Sequence, residues 1–168
     1  FVYIIMGVRV MDKLSLMHLE GLPIKGDSVF CDITIQDESL KITETSGIFK
    51  KKAKNTFSLD LNKIISMDII NEKNIQEKQK SIVGRGIAGA VLFGPAGAIV
   101  GGLSGTGKKQ KVKTKNVFVI SYYGKDNEVK SINFDPGLVI AFVEEFIRDY
   151  EDKCGKNQQV NEHGEIEL

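Results

Sequence analysis

From Ser28 onward the chain alternates apolar and polar positions in short runs separated by turn residues. The runs SVFCDITIQ (28–36), SLKITET (39–45), NTFSLDL (55–61) and IISMDII (64–70) alternate or are rich in Ile, Val, Phe and Thr, which predicts β-strands. VFVISYY (117–123) and EVKSINF (128–134) continue the pattern, joined by Gly124-Lys125-Asp126-Asn127, a hairpin turn. The order predicts an antiparallel meander. Asp135 and Pro136 then supply an N-cap and a first helical residue. Leu138 to Lys153 follows with helical spacing that places Val139, Phe142, Val143, Phe146, Ile147 and Tyr150 on one face. A strongly bent sheet of six or seven strands with one open end buries its inner face when such a helix plugs it. The fold class is therefore mainly β, with α+β character.

The two ends stand apart from this pattern. FVYIIMGVRV (1–10) lacks the charged start and cleavage site of a signal peptide. It is also far shorter than the roughly 20 residues of a spanning helix. Residues 1–17 are read as an N-terminal extension. Residues 154–168 carry too little apolar content to pack and are read as a flexible polar tail.

Between the fourth strand and VFVISYY lies an insert, residues 77–109, of a different character. Residues 86–107 hold 22 positions without a charge, 11 of them apolar, and residues 84–107 hold nine of the 17 glycines. Small residues recur at a spacing of four: Gly86, Ala90 and Gly94 before Pro95, then Gly97, Gly101 and Gly105 after it. On a helix that spacing makes one smooth stripe which admits another backbone, a glycine zipper. Pro95 divides the segment into halves of about ten residues, each roughly 15 Å long. A single kinked span would set the strands before and after it on opposite sides of a bilayer. The reading is therefore a helical hairpin turning at Phe93, Gly94 and Pro95, which enters lipid part way and returns, or forms an oligomer interface.

Charge sharpens this picture. The chain has 168 residues with 23 Lys and Arg against 22 Asp and Glu, a net charge of +1. Residues 78–125 carry nine basic residues and no acidic one, leaving 14 basic and 22 acidic elsewhere. Arg85 precedes the uncharged stretch, and Lys108, Lys109, Lys111, Lys113 and Lys115 follow it. Such a polybasic flank is drawn to anionic lipid at about 1 kcal/mol per charge. The alternative for the lysines is a solvated edge strand guarded against aggregation. Lys50, Lys51, Lys52 and Lys54 form a second cluster, read as a solvated loop.

Two phosphate-binding patterns occur in the insert. Gly84-Arg85-Gly86-Ile87-Ala88-Gly89 fits G-x-G-x-x-G, but only Ile82 and Val83 precede it as strand and no acidic residue follows before Asp126. Gly102 to Lys108 fits G-x-x-x-x-G-K, but Lys109 stands where a metal-ligating Ser or Thr belongs and strand-like sequence follows. No catalytic constellation is visible around His18 and His163, and Cys31 and Cys154 have no metal-ligand or disulfide-framework spacing. No metal, cofactor or nucleic-acid partner is expected, Phe118, Tyr122 and Tyr123 lying in a run read as buried.

At His18-Leu19-Glu20-Gly21-Leu22-Pro23, at Leu59-Asp60-Leu61-Asn62-Lys63-Ile64 and at the Phe142 to Tyr150 helix, the chain resembles the pleckstrin-homology-like superfamily. Within it the resemblance is to GRAM-like or bacterial PH-like proteins, including their Gly-rich apolar inserts of the AVLFGPAGAIVGG kind. It covers residues 18–153. It implies a PH-like bent antiparallel β-barrel capped by the C-terminal helix, acting as a binding platform without catalytic residues.

The expectation is a cytoplasmic, non-enzymatic module that associates with the membrane inner face or self-assembles through the hairpin. Anionic lipid, a second copy or a protein would be its partners. The alternatives are a soluble adaptor or oligomeric domain with the hairpin as its interface and, third, a nucleotide-binding protein using residues 102–108.

Overall fold

The computed structural model describes residues 2–5, 8–11, 13–26, 29–46, 52–83 and 116–164. Its centre is a seven-stranded antiparallel sheet. Two short strands, β1 (Val2–Ile5) and β2 (Val8–Met11), form a separate hairpin. The main sheet comprises β3 (Lys13–Glu20), β4 (Phe30–Gln36), β5 (Ser39–Ser46), β6 (Lys52–Asp60), β7 (Ile64–Ile70), β8 (Val117–Tyr123) and β9 (Val129–Asp135). Its order is β6-β5-β4-β3-β9-β8-β7.

Local chemistry sets the turns. β4 and β5 meet at a two-residue turn, Gln36 pairing with Ser39, with Asp37 in the left-handed region at φ 51°. Asp and Asn tolerate that conformation better than other side chains. Asn127 does the same at φ 57° in the β8–β9 hairpin, where the Gly124 N–H donates to the Glu128 carbonyl at 2.8 Å. Between β6 and β7, the Asp60 carboxylate accepts the Asn62 N–H at 2.8 Å and starts a single 3-10 turn, Leu61–Lys63, that buries Leu61.

β3 is a strand that the alternation reading left within its N-terminal extension and first turn. Lys13 to Met17 pair with β4, Met17 to Glu20 pair with β9, and the register shifts between His18 and Glu20. Up to the shift the strand alternates regularly, with Leu14, Leu16 and His18 on the inner face, and the pattern is obscured because the inner position 18 is a His and the outer position 17 is a Met. β3 thereby joins β4–β6 to β7–β9.

The sheet is open. Among the described strands β6 and β7 are its two edges and do not pair with each other, so the expected barrel does not close there. The chain crosses from one edge to the other through the 3-10 turn, and the interior is sealed by apolar packing. Leu16, Ile33, Leu40, Phe118, Ile120 and Phe134 point inward and are buried. Helix α2 (Ile140–Gly164) lies against β2, β3 and β7 and drives Val143, Phe146 and Tyr150 into that core. Each such side chain is worth about 1.5–3 kcal/mol when fully buried.

Helix α2 differs from expectation at both ends. It begins at Ile140, because Asp135 accepts the Gly137 N–H at 2.9 Å and Gly137 takes φ +49°, which makes a turn before any helical residue. It runs to Gly164, past Lys153 and into the stretch read as a flexible tail. Phe142, expected on the buried face, is 48% exposed. A second helix, α1 (Ile75–Val83), follows β7 and overlaps the start of the insert.

Candidate functional site

The site begins where the insert is rooted. β7 and β8 are neighbours, and Ile70 and Val117, which pair across them, are both fully buried. Residues 71–116 therefore leave and return at the same end of one strand pair.

Three asparagines hold that junction. The Asn71 Oδ1 accepts the N–H groups of Lys73 at 2.9 Å and Asn74 at 3.2 Å, a turn that this residue type forms readily. Asn74 replies through Oδ1, which accepts the Asn71 N–H at 2.8 Å, and through Nδ2, which donates to the Ile69 carbonyl at 3.0 Å. Asn71 Nδ2 then donates to Asn116 Oδ1 at 3.1 Å and ties the departing chain to the returning one. Asn71-x-x-Asn74 directly after a strand was the available signal for this clamp. Nothing in the pattern pointed to Asn116, 45 positions away.

α1 is fixed on β7 by Lys78, whose Nζ lies 2.8 Å from Asp68 Oδ1. The carboxylate is mostly buried, so the ammonium also removes the penalty of an unpaired buried charge. Between β7, α1 and the first half of α2 lies a groove of about 480 Å³, lined in part by Asp68, Lys78, Asn116, Glu144, Arg148 and Glu151. At the far end of β8 a second cavity, of about 610 Å³, brings Lys63, Lys125 and Lys130 beside Asp60, Asp126 and Glu128. Its lysines and carboxylates balance, and Glu128 bonds Lys130 directly.

The chemically capable side chains elsewhere are committed to structure. His18 packs edge-on against Phe134 with ring centroids 5.9 Å apart, and its Nε2 accepts the Leu22 N–H at 3.2 Å. Burial lowers its pKa, in keeping with a neutral ring acting as acceptor. Cys31 is fully buried, and burial foremost, with the Glu44 and Asp32 charges, pushes its thiol up to about 11. Glu44 lies on the inner face of β5, where Asn55 donates to it at 2.7 Å and Lys54 approaches to 3.5 Å. Lys54 thus serves a buried carboxylate and is not a free member of a basic loop. Among the described residues no three His, Cys, Asp or Glu side chains are grouped to hold a metal ion.

Every residue assigned to the lipid or oligomer contact lies outside the described residues: Gly86, Ala90, Phe93, Gly94, Pro95, Gly97, Gly101, Gly105, Arg85, Lys108, Lys109, Lys111, Lys113 and Lys115. So do both glycine-rich phosphate patterns. Their flanks are described, however. α1 precedes Gly84, so the G-x-G-x-x-G stretch follows a helix where a dinucleotide fold requires a strand. Phe118, one of the aromatics weighed for base stacking, is fully buried. No helix among the described residues is long and apolar enough to cross a membrane.

A family model described as "Glycine zipper containing PH domain" matches residues 25–135. No curated protein and no solved structure matches the chain.

Proposed function

The chain belongs to the family of glycine zipper containing PH domains, and from that premise we propose a non-enzymatic binding module that docks on the anionic inner face of a membrane, or self-assembles there. The observation that carries the reading is the uncharged small-residue ladder of residues 86–107, followed at once by five lysines within eight residues. Attachment at one strand pair supports entry and return on one side of a bilayer, because Ile70 and Val117 are cross-strand partners. The glycine stripes would pack the two arms of the hairpin on each other or on a second copy, and the lysines would hold acidic headgroups. The GRAM-like and bacterial affiliation implied by the sequence resemblance, and a cytoplasmic location, belong to this proposal.

A soluble adaptor is the second reading, favoured by the 11 apolar residues among 22, a low content for insertion into lipid. Sedimentation with anionic and neutral liposomes separates the two. The intact chain is expected to pellet with anionic vesicles, and a chain lacking residues 84–107 to stay in solution. An intact chain that remains soluble with both lipids while forming an oligomer refutes the membrane reading.

A further inference from the structure

The segment that follows β3 is a short flap with a hinge at each end. Gly21 and Gly26 take φ +103° and +112°, values open to glycine and strained for other residues, and Leu22, Pro23, Ile24 and Lys25 lie between them. The Ile24 N–H donates to the Leu22 carbonyl at 2.7 Å, so the segment turns on itself. Leu22 and Ile24 rest against the core, while Pro23 and Lys25 are exposed.

His18 holds this flap in two ways. Its backbone N–H donates to the Val29 carbonyl at 2.8 Å and closes the neck between β3 and β4, a bond between groups that do not titrate. Its side chain accepts the Leu22 N–H on Nε2 at 3.2 Å and latches the flap to the sheet. A backbone N–H can only donate, so Nε2 carries no proton and the neutral ring holds its proton on Nδ1. A second proton, on Nε2, sets two donors against each other and leaves the Leu22 amide without its acceptor.

The surroundings favour the latched, neutral ring. Burial disfavours the charged form and outweighs Glu20, whose backbone hydrogen bond and carboxylate both favour it. On β9 the ring meets Phe134 edge-on, and Asp135, the next residue, points to the opposite face. Cys31 on β4 and Tyr150 on α2 both have raised pKa values and stay neutral. The inner-facing Glu44 on β5 is engaged by Asn55 and Lys54, and Lys25 of the flap itself is exposed.

We propose that residues 21–26 form a flap operated by pH: protonation of His18 unlatches Leu22, and the flap swings on Gly21 and Gly26 to expose Leu22, Pro23 and Ile24 while the neck at Val29 stays closed. One residue thus supplies a permanent anchor through its backbone and a releasable one through its ring. The closed form binds the proton less well than the open form, in which the ring is solvated. Closure is therefore at full strength above pH 6.5 and weakens as pH falls through the lowered folded value.

NMR of the intact, isotope-labelled chain between pH 7.5 and 5 tests this. The His18 ring is expected as the Nδ1–H tautomer at pH 7.5 and titrates with a midpoint below 6.5. Protection of the Leu22 amide from hydrogen exchange, corrected for the intrinsic rate at each pH, falls at least tenfold with that midpoint. The His18 and Ile120 amides remain at least tenfold better protected than Leu22 at pH 5, which makes the opening local. In His18→Gln, Leu22 protection changes less than twofold over the same range. The proposal is overturned if Leu22 protection does not follow the His18 midpoint, if it converges on that of Ile120, or if His18→Gln keeps the parent's pH dependence. Where that variant does not fold, the titration of the parent chain decides by itself.

Discussion

Two glycines with positive φ separate backbone strain from steric contact, and the comparison tests how the β3–β4 loop sits on β9. Gly21 has φ +103°, and a Cβ added there would lie 2.1 Å from the Ser131 carbonyl oxygen and 2.8 Å from the Ile132 Cα. Gly137 has φ +49°, and a Cβ there would meet nothing within 4 Å. Gly137→Ala thus carries only the left-handed penalty, about 1–2 kcal/mol. Gly21→Ala carries a similar penalty and an overlap that neither backbone can absorb in place, so the loop must lift from β9. Lifting it forfeits the hydrogen bond from the Leu22 N–H to His18, worth about 1 kcal/mol. It also loosens Leu22 and Ile24, partly buried against the core, at about 1 kcal/mol each. The total is about 4–5 kcal/mol. With a urea m-value of about 2 kcal/mol/M, the midpoint falls by roughly 2 M for Gly21→Ala and by less than about 1 M for Gly137→Ala. Equal midpoints for the two variants would refute the reasoning, because they would place the Gly21 backbone away from β9.

Three further outcomes follow from individual side chains. Burial lowers the His18 pKa below its ordinary 6.5, so between the folded and unfolded values the unfolded chain binds more protons. Stability is then fully present above pH 6.5 and declines as pH falls through that window, and urea midpoints measured from pH 7.5 to 5 should show a slope that His18→Gln reduces. With the Cys31 thiol buried and raised to about 11, a Cys154→Ser variant should leave Ellman's reagent colourless at pH 7.5 until urea unfolds it; a fast native reaction would contradict the sealed core. Asn116→Ala leaves the Asn71 amide without its partner at 3.1 Å and should cost about 1 kcal/mol by urea unfolding, with faster amide exchange at Val117 as the local readout.

The strands of the open sheet were legible because most of them obey one rule. β4 and β5 put Cys31, Ile33, Leu40 and Ile42 inward at strict two-residue intervals, and β8 and β9 do the same with Phe118, Ile120, Ile132 and Phe134. β3 escaped that rule because its inner face carries His18 after Leu14 and Leu16, while the apolar Met17 lies on the outer face. The start of α2 was misplaced for a related reason. Asp135-Pro136 satisfies the preferences of a helix N-terminus, and the same Asp side chain also closes a turn on Gly137, which only the left-handed φ at Gly137 decides.

The site was legible in part, and the division follows sequence distance. The small-residue spacing of four and the lysine flank are local patterns, readable from the chain, whereas the clamp between Asn71 and Asn116 joins residues on either side of the insert. The edge position of β7 among the described strands is also non-local: IISMDII reads equally as a central or an edge strand. Only the order of the sheet makes it terminal, and the Asn74 amide bonds the Ile69 carbonyl near its end. Burial sharpens the point. Ile70, Val117 and Val119 are fully buried on the face of β7 and β8 opposite the apolar core, so these strands are covered on both sides. A run buried on both faces loses its polar alternation. The near-continuous apolar composition of VFVIS in β8 is the trace of that, and it places the root of the insert on a strand pair buried on both faces.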